Sequence, residues 1–165
     1  MAINHVESSV RQVKRADFWW EDLQPGDVLC GSGMTITDAH LIQWAGLTGD
    51  IVSLHLDHEY ASGTQFGERI AHGPLTLALA LGLTTQTRYF NNVVALLGLD
   101  EVRALRPVLI GDTVHPEAEL IDSRSSKKAD QGIWTFAYTM FNQRGEPVMA
   151  FKSSLMIRRR PGGIG

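Results

Sequence analysis

The chain has 165 residues, 44% hydrophobic and 20% charged, a composition that supports one packed core and excludes wholesale disorder. A formal net charge of -3 leaves no overall field to draw nucleic acid or an anionic membrane surface. The single cysteine, Cys30, excludes an intramolecular disulfide or a cysteine metal cluster.

The opening, MAINHVESSVRQVKRADFWW, is polar and lacks the apolar run of a signal peptide, so a cytoplasmic protein is expected. Residues 1–17 read as a loose arm or a short helix. LQPGD at 23–27 is turn chemistry, and a strand is expected from about Val28 to Ile36, with Cys30 buried and inert in it. Thr37 or Asp38 caps a helix running to about Leu47, and glycine at 46–49 permits its exit. From Asp50 to Arg69 no period is visible. The segment reads as a loop, with His58 facing solvent. HGPLTLALALGLTTQTRYF, residues 72–90, predicts a helix with Pro74 in its first turn. Leucine and alanine cover nearly all its faces, so it should be buried and wrapped by other structure. Its apolar run is interrupted by Thr76 and Gly82 and is too short to span a bilayer.

The second half reads as strands. VVALLGLDEVRALRP gives one or two, and Gly111-Asp112 a turn. DTVHPEAELIDSRSS is a strand in which Pro116 requires a bulge or an edge. SRSSKKADQG is a hairpin loop. IWTFAYTMFNQ alternates, setting Trp134, Phe136, Tyr138 and Met140 against Ile133, Thr135, Ala137 and Thr139. After a tight turn at Arg144–Glu146 comes the return strand. Arg158–Arg160 reads as a solvated end, and 159–165 as a flexible tail. The expected architecture is α+β: one domain over 1–165, with an antiparallel sheet wrapped around a long, apolar central helix.

Four stretches, in order, carry a resemblance to a known family: FWWEDLQPGD, GLTGDIVSLHLD, FGERIAHGPLTLAL and LRPVLIGDTV. Together they resemble the MaoC-like, (R)-specific enoyl-CoA hydratases, over about Phe18 to Ile157. The resemblance implies a hot-dog fold, a homodimer or higher homo-oligomer, and no metal or redox cofactor. It also implies an acyl-CoA substrate, with no nucleic-acid or membrane partner. The chain departs from the family pattern where Val52 and Ser53 replace Asn-Pro between the acid and the histidine.

Hydration of a 2-enoyl thioester requires proton transfer to and from water and carbon, and stabilisation of an enolate-like oxygen. Asp50 and His55 are the residue types for the first need. Gly73, at the start of the apolar helix and followed by a proline without an N–H, can offer its own N–H to the oxygen. Val52, Ser53, Tyr60, Phe66 and His72 are the substrate-binding candidates, His72 through a structural hydrogen bond. Val52-Ser53 points to a branched or dicarboxylic acyl group, reacting in either direction. Asp50, His55, His58 and His72 match no zinc spacing, so no metal is expected. The phosphates of coenzyme A call for a cation, and spacing does not choose among Arg69, Arg103, Arg106, Lys127 and Lys128. Two rival activities share this fold. A thioesterase would use a carboxylate on the central helix, where none is present from Pro74 to Arg88. A non-catalytic acyl-CoA-binding or partner subunit would not need the Asp50/His55 pair.

Overall fold

In the computed structural model, which describes residues 17–86 and 90–162, two short strands lead the chain. They are β1, Val28–Cys30, and β2, Met34–Thr35. The single strand expected over 28–36 is therefore split. The break has a packing cause: a Cβ on Gly31 would lie 2.5 Å from Cγ of Pro116, so the chain bends away over that ring. Pro116 itself stays in regular register with Met140. Its carbonyl accepts from Gly31 N–H at 2.8 Å, so its missing donor faces the gap between β1 and β2. The expected bulge falls elsewhere, between Leu120 and Asp122.

Helix α1, Asp38–Thr48, starts and stops where its cap residues dictate. His40 Nδ1 lies 3.0 Å from the Thr37 N–H, which donates to it. Gly49 adopts φ 77° and donates to the Ala45 carbonyl, a left-handed exit that a side chain would resist. The chain emerges from this turn at Asp50.

The segment read as a loop contains two short helices, α2 (Ser53–Leu56) and α3 (His58–Ser62). Asp57 caps α3 by accepting from Tyr60 N–H at 3.0 Å. Helix α4, Gly73–Thr85, follows. Leu75, Thr76, Ala80, Leu83 and Thr84 form its buried face, while Leu77, Ala78, Leu79 and Leu81 are half-buried. The helix is thus wrapped on one side rather than all round.

The remaining strands are β3 (Val93–Ala104), β4 (Thr113–Ser125), β5 (Gln131–Phe141) and β6 (Pro147–Arg158). The sheet is antiparallel with order β1-β4-β5-β6-β3, and β2 pairs beside β1 on β4. Trp134, Phe136, Tyr138 and Met140 alternate into the core as the sequence requires. Burial pushes the Tyr138 phenol up to about 12, against the opposing effect of its hydrogen bond with Thr84. That bond ties α4 to β5. β3 is a single long edge strand with three register shifts.

Two expectations are corrected at the periphery. Cys30 is exposed, because the alternation of β1 turns Leu29 inward and both its neighbours outward. The residues after β6 are anchored rather than loose. Arg159 lies over the Trp20 ring at 4.2 Å, and Arg160 pairs with Asp22 and donates its backbone N–H to Glu21. The expected arm at 1–17, apart from Asp17, and positions 163–165 lie outside the described residues. No described helix is long and apolar enough to cross a membrane.

Candidate active site

Three elements meet at one point. Asp50 leaves the Gly49 turn, His55 sits in α2, and His72 precedes α4 as its N-cap. One ligand atom from each side chain lies within 4.8 Å of the other two. The segment before α4 is held in place by Ala71 N–H donating to the Val108 carbonyl at 2.8 Å, and by an antiparallel bridge between Ile70 and Leu109.

The hydrogen bonds assign the ring nitrogens. His55 Nδ1–H donates to the Ile70 carbonyl at 2.8 Å, so neutral His55 presents Nε2 as an acceptor. His72 Nε2–H donates to the backbone carbonyl of Asp50 at 3.1 Å. The two imidazoles stack with centroids 3.9 Å apart and an interplanar angle of 31°. His72 is fully buried, and its Nδ1 has no partner among the described residues. Burial holds the His72 imidazole below its ordinary value, the Asp50 carbonyl opposes this, and the charge of a protonated His55 reinforces it. The Asp50 carboxylate makes no hydrogen bond among the described residues. Each histidine keeps one nitrogen uncommitted, so the trio can bind and move a proton, or hold a cation. His58 is exposed and outside the trio.

A cleft of about 290 Å³ opens beside this trio. His55, Phe66, Gly73, Thr76, Arg106, Val148 and Met149 line it, and Asp50 and His72 do not. Gly73 is the first residue of α4, and the first helical bond runs from Thr76 N–H to the His72 carbonyl at 3.1 Å. The Gly73 N–H precedes that bond and remains available. A Cβ at position 73 would meet nothing within 4 Å. Close packing is therefore not what calls for glycine there; the space in front of it is the cleft.

Of the residues expected to bind substrate, Phe66 lines the cleft and His72 is buried beside His55. Val52, Ser53 and Tyr60 are exposed and do not line it. Tyr60 points outward because α3 turns Ala61, its neighbour, into the core. Sequence reasoning passed over Thr76, although a threonine within an apolar helical run is a visible signal. In the wall formed by Ala104–Val108 it weighed Arg106 alone, as one of five cations, and passed over the apolar residues around it.

A model of the MaoC like domain matches residues 24–139, more than half of the chain. A 3-hydroxyacyl-thioester dehydratase Z from Mycobacterium tuberculosis is 37% identical over 90 residues, 53% of this chain. The match spans 60% of that relative, so the chain covers less than two thirds of its length. A solved monoamine oxidase regulatory protein from Archaeoglobus is 35% identical, with TM-score 0.84 over 90% of this chain and 100% of that one. The R-hydratase PhaJ1 from Pseudomonas aeruginosa is 28% identical, with TM-score 0.72 over 89% of this chain and 96% of that one. The architecture is the hot-dog fold of these solved relatives.

Proposed function

Because the chain belongs to the MaoC-like domain family, we propose that it adds water reversibly to a 2-enoyl-CoA, or removes it from the 3-hydroxyacyl-CoA. One observation carries this reading. An acid and an imidazole converge within 4.8 Å beside a cleft that is also lined by the first residue of a helix, Gly73. Relatives named as hydratases and dehydratases support the reaction class.

The proposed steps use these groups in turn. Water held between Asp50 and His55 attacks C3 of the enoyl group. The carbon–carbon π electrons move toward the thioester, whose oxygen becomes the enolate oxyanion. The Gly73 N–H, at the positive end of α4, stabilises that charge. The proton lost by water and the proton gained at C2 pass through Asp50 and His55. The apolar walls exclude bulk water and strengthen these interactions. His72 holds the pair in place, by stacking on one member and bonding the backbone of the other. No step needs a redox cofactor.

The substrate reaches this site as a coenzyme A thioester. Two chains would join through the edge of β3, whose Val94, Leu96, Leu97 and Val102 are exposed. The acyl group fills the cleft against Phe66 and Met149. Val52 and Ser53 stand outside it, so a branched or dicarboxylic preference would have to act through the backbone that carries His55.

The test is a panel of crotonyl-, longer, branched and dicarboxylic enoyl-CoAs followed at the enoyl absorbance, with (R)/(S) analysis of the product. Loss of absorbance with one enantiomer formed is the expected result. Release of free thiol without loss of the enoyl absorbance would sink the reading and favour thioester hydrolysis.

A further inference from the structure

The cleft walls are apolar apart from His55, Thr76 and one permanent cation, Arg106, and they include no acidic residue. Arg106 is fixed from several sides. Its backbone N–H and that of Leu105 share the Val148 carbonyl, at 3.2 and 2.8 Å. Its Nη1–H donates to the Pro147 carbonyl at 2.8 Å. Glu146 pairs with it only loosely, its Oε1 lying 4.0 Å from Nε, beyond hydrogen-bond distance. Oε2 of Glu146 is taken by Arg144 at 2.8 Å and by Asn142 at 2.9 Å. A guanidinium has five N–H donors, and the Pro147 carbonyl uses one of them. The side chain is 46% exposed, which sets it on the rim of the cleft rather than in its depth.

The other cations weighed for the same task are elsewhere. Arg69 is paired with Asp38 at 2.7 Å. Arg103 donates to the carbonyl of Val102. Lys127 and Lys128 border a separate cleft with Ile133 and Met156, at the far end of β5 and β6.

A cation tethered by one side-chain bond, with spare donors, on the rim of an apolar cleft lined by no carboxylate, suits an oxyanion carried by the ligand. We propose that Arg106 binds an anionic group of the thioester substrate, a phosphate of the coenzyme A handle or a carboxylate on the acyl chain. The proposal rests on the thioester reading above, and it makes this arginine the residue that decides which thioesters bind.

The experiment measures binding rather than turnover, so it stands apart from the hydration assay. Three saturated, unreactive thioesters are titrated calorimetrically into wild type, Arg106→Gln and Arg106→Lys: butyryl-CoA, butyryl-pantetheine, which lacks phosphate, and succinyl-CoA, which adds a carboxylate. If the phosphate is the partner, Arg106→Gln weakens butyryl-CoA and succinyl-CoA by about tenfold or more and leaves butyryl-pantetheine unchanged. If the carboxylate is the partner, only succinyl-CoA weakens. In both cases Arg106→Lys restores part of the loss, and added salt weakens wild type more than Arg106→Gln. Equal affinity of wild type and Arg106→Gln for all three, or an equal loss for all three, overturns the proposal. Wild type that binds these thioesters yet hydrates no enoyl-CoA would sink the activity and leave the Arg106 site standing. Wild type that binds none of them sinks both.

Discussion

The strands β5 and β6 carry different chemistry at their two ends. At the end bearing Val148 and Met149, polar groups in or next to an apolar cleft have bonding capacity left over: Nε2 of His55 and the N–H of Gly73 in its lining, and Nδ1 of His72 and the Asp50 carboxylate behind them. At the end bearing Gly132 and Ile157, two arginines are committed to partners and neither lines the His55 cleft, although Trp20 Nε1 and Arg159 Nε are buried without a hydrogen bond among the described residues. Arg159 covers Trp20 and donates to Ser125 Oγ at 2.7 Å, and Arg160 is held by Asp22 and Glu21. Committed groups contribute to stability. Uncommitted ones in a dry site are available for a reaction. Substitutions at the first end should therefore change rate with little change in stability, and substitutions at the second should do the reverse.

The largest expected effect is on rate. Asp50→Asn and His55→Ala should each lower kcat/KM for enoyl-CoA hydration by about 10²–10⁴, while Tm moves by a few degrees at most. The double variant should lose about as much as the worse single one, because two groups serving one proton transfer are not additive. Gly73→Pro, which removes the N–H, should lower kcat by about 10²–10³. Gly73→Ala keeps that N–H and finds open space for its Cβ, so it should fold normally and raise KM more than it lowers kcat. Wild-type rates for Asp50→Asn and His55→Ala would break the comparison at its first term.

At the opposite end the sign reverses. A Cβ on Gly132 would fall 2.2 Å from the Trp20 ring, so the indole must move and take the Arg159 contact with it. Gly132→Ala should destabilise by about 1–3 kcal/mol, a fall of several degrees in Tm at this chain length. The kcat of the folded fraction should stay at the wild-type value. A Gly132→Ala protein with normal Tm would mean that the Trp20 layer adds little to stability.

How much of this was legible differs along the chain for physical reasons. Helix α1 was readable because Thr37 and Gly49 signal its limits locally. Strand β5 was readable because its burial alternates at the period of the backbone. Asp50, His55 and Gly73 were found as residue types, from chemistry and resemblance, and the fold then brought them to one place. What escaped depends on contacts distant in sequence. The split of β1 from β2 arises from Gly31 meeting Pro116. The anchoring of Arg159 and Arg160 arises from residues more than a hundred positions earlier in the chain. Tyr60 and Phe66 were chosen from an aperiodic segment, where nothing local says which side chains face in. The same holds for His72, whose stacking on His55 no spacing announces.

The smallest expected effect sharpens the comparison through pH. His72 is held below its ordinary value of 6.5, chiefly by burial. In the unfolded chain it takes up a proton near 6.5, and in the folded chain only at lower pH. Between those two values the unfolded state binds more protons, so stability rises with pH across that window. The contribution is fully present above about pH 7 and is lost as pH falls from 6.5 toward the folded value. A charge on His72 would also face any charge on the stacked His55, so the hydration rate should fall over the same range. His72→Gln keeps a donor for the Asp50 carbonyl and cannot titrate. Its Tm, followed between pH 5 and 8, should decline less on acidification than that of wild type. Gly132→Ala should decline in parallel with wild type, because it leaves His72 and the residues packed on it unchanged. If His72→Gln and wild type decline in parallel too, burial of this histidine does not govern its protonation, and the cleft end is no more sensitive to pH than the other.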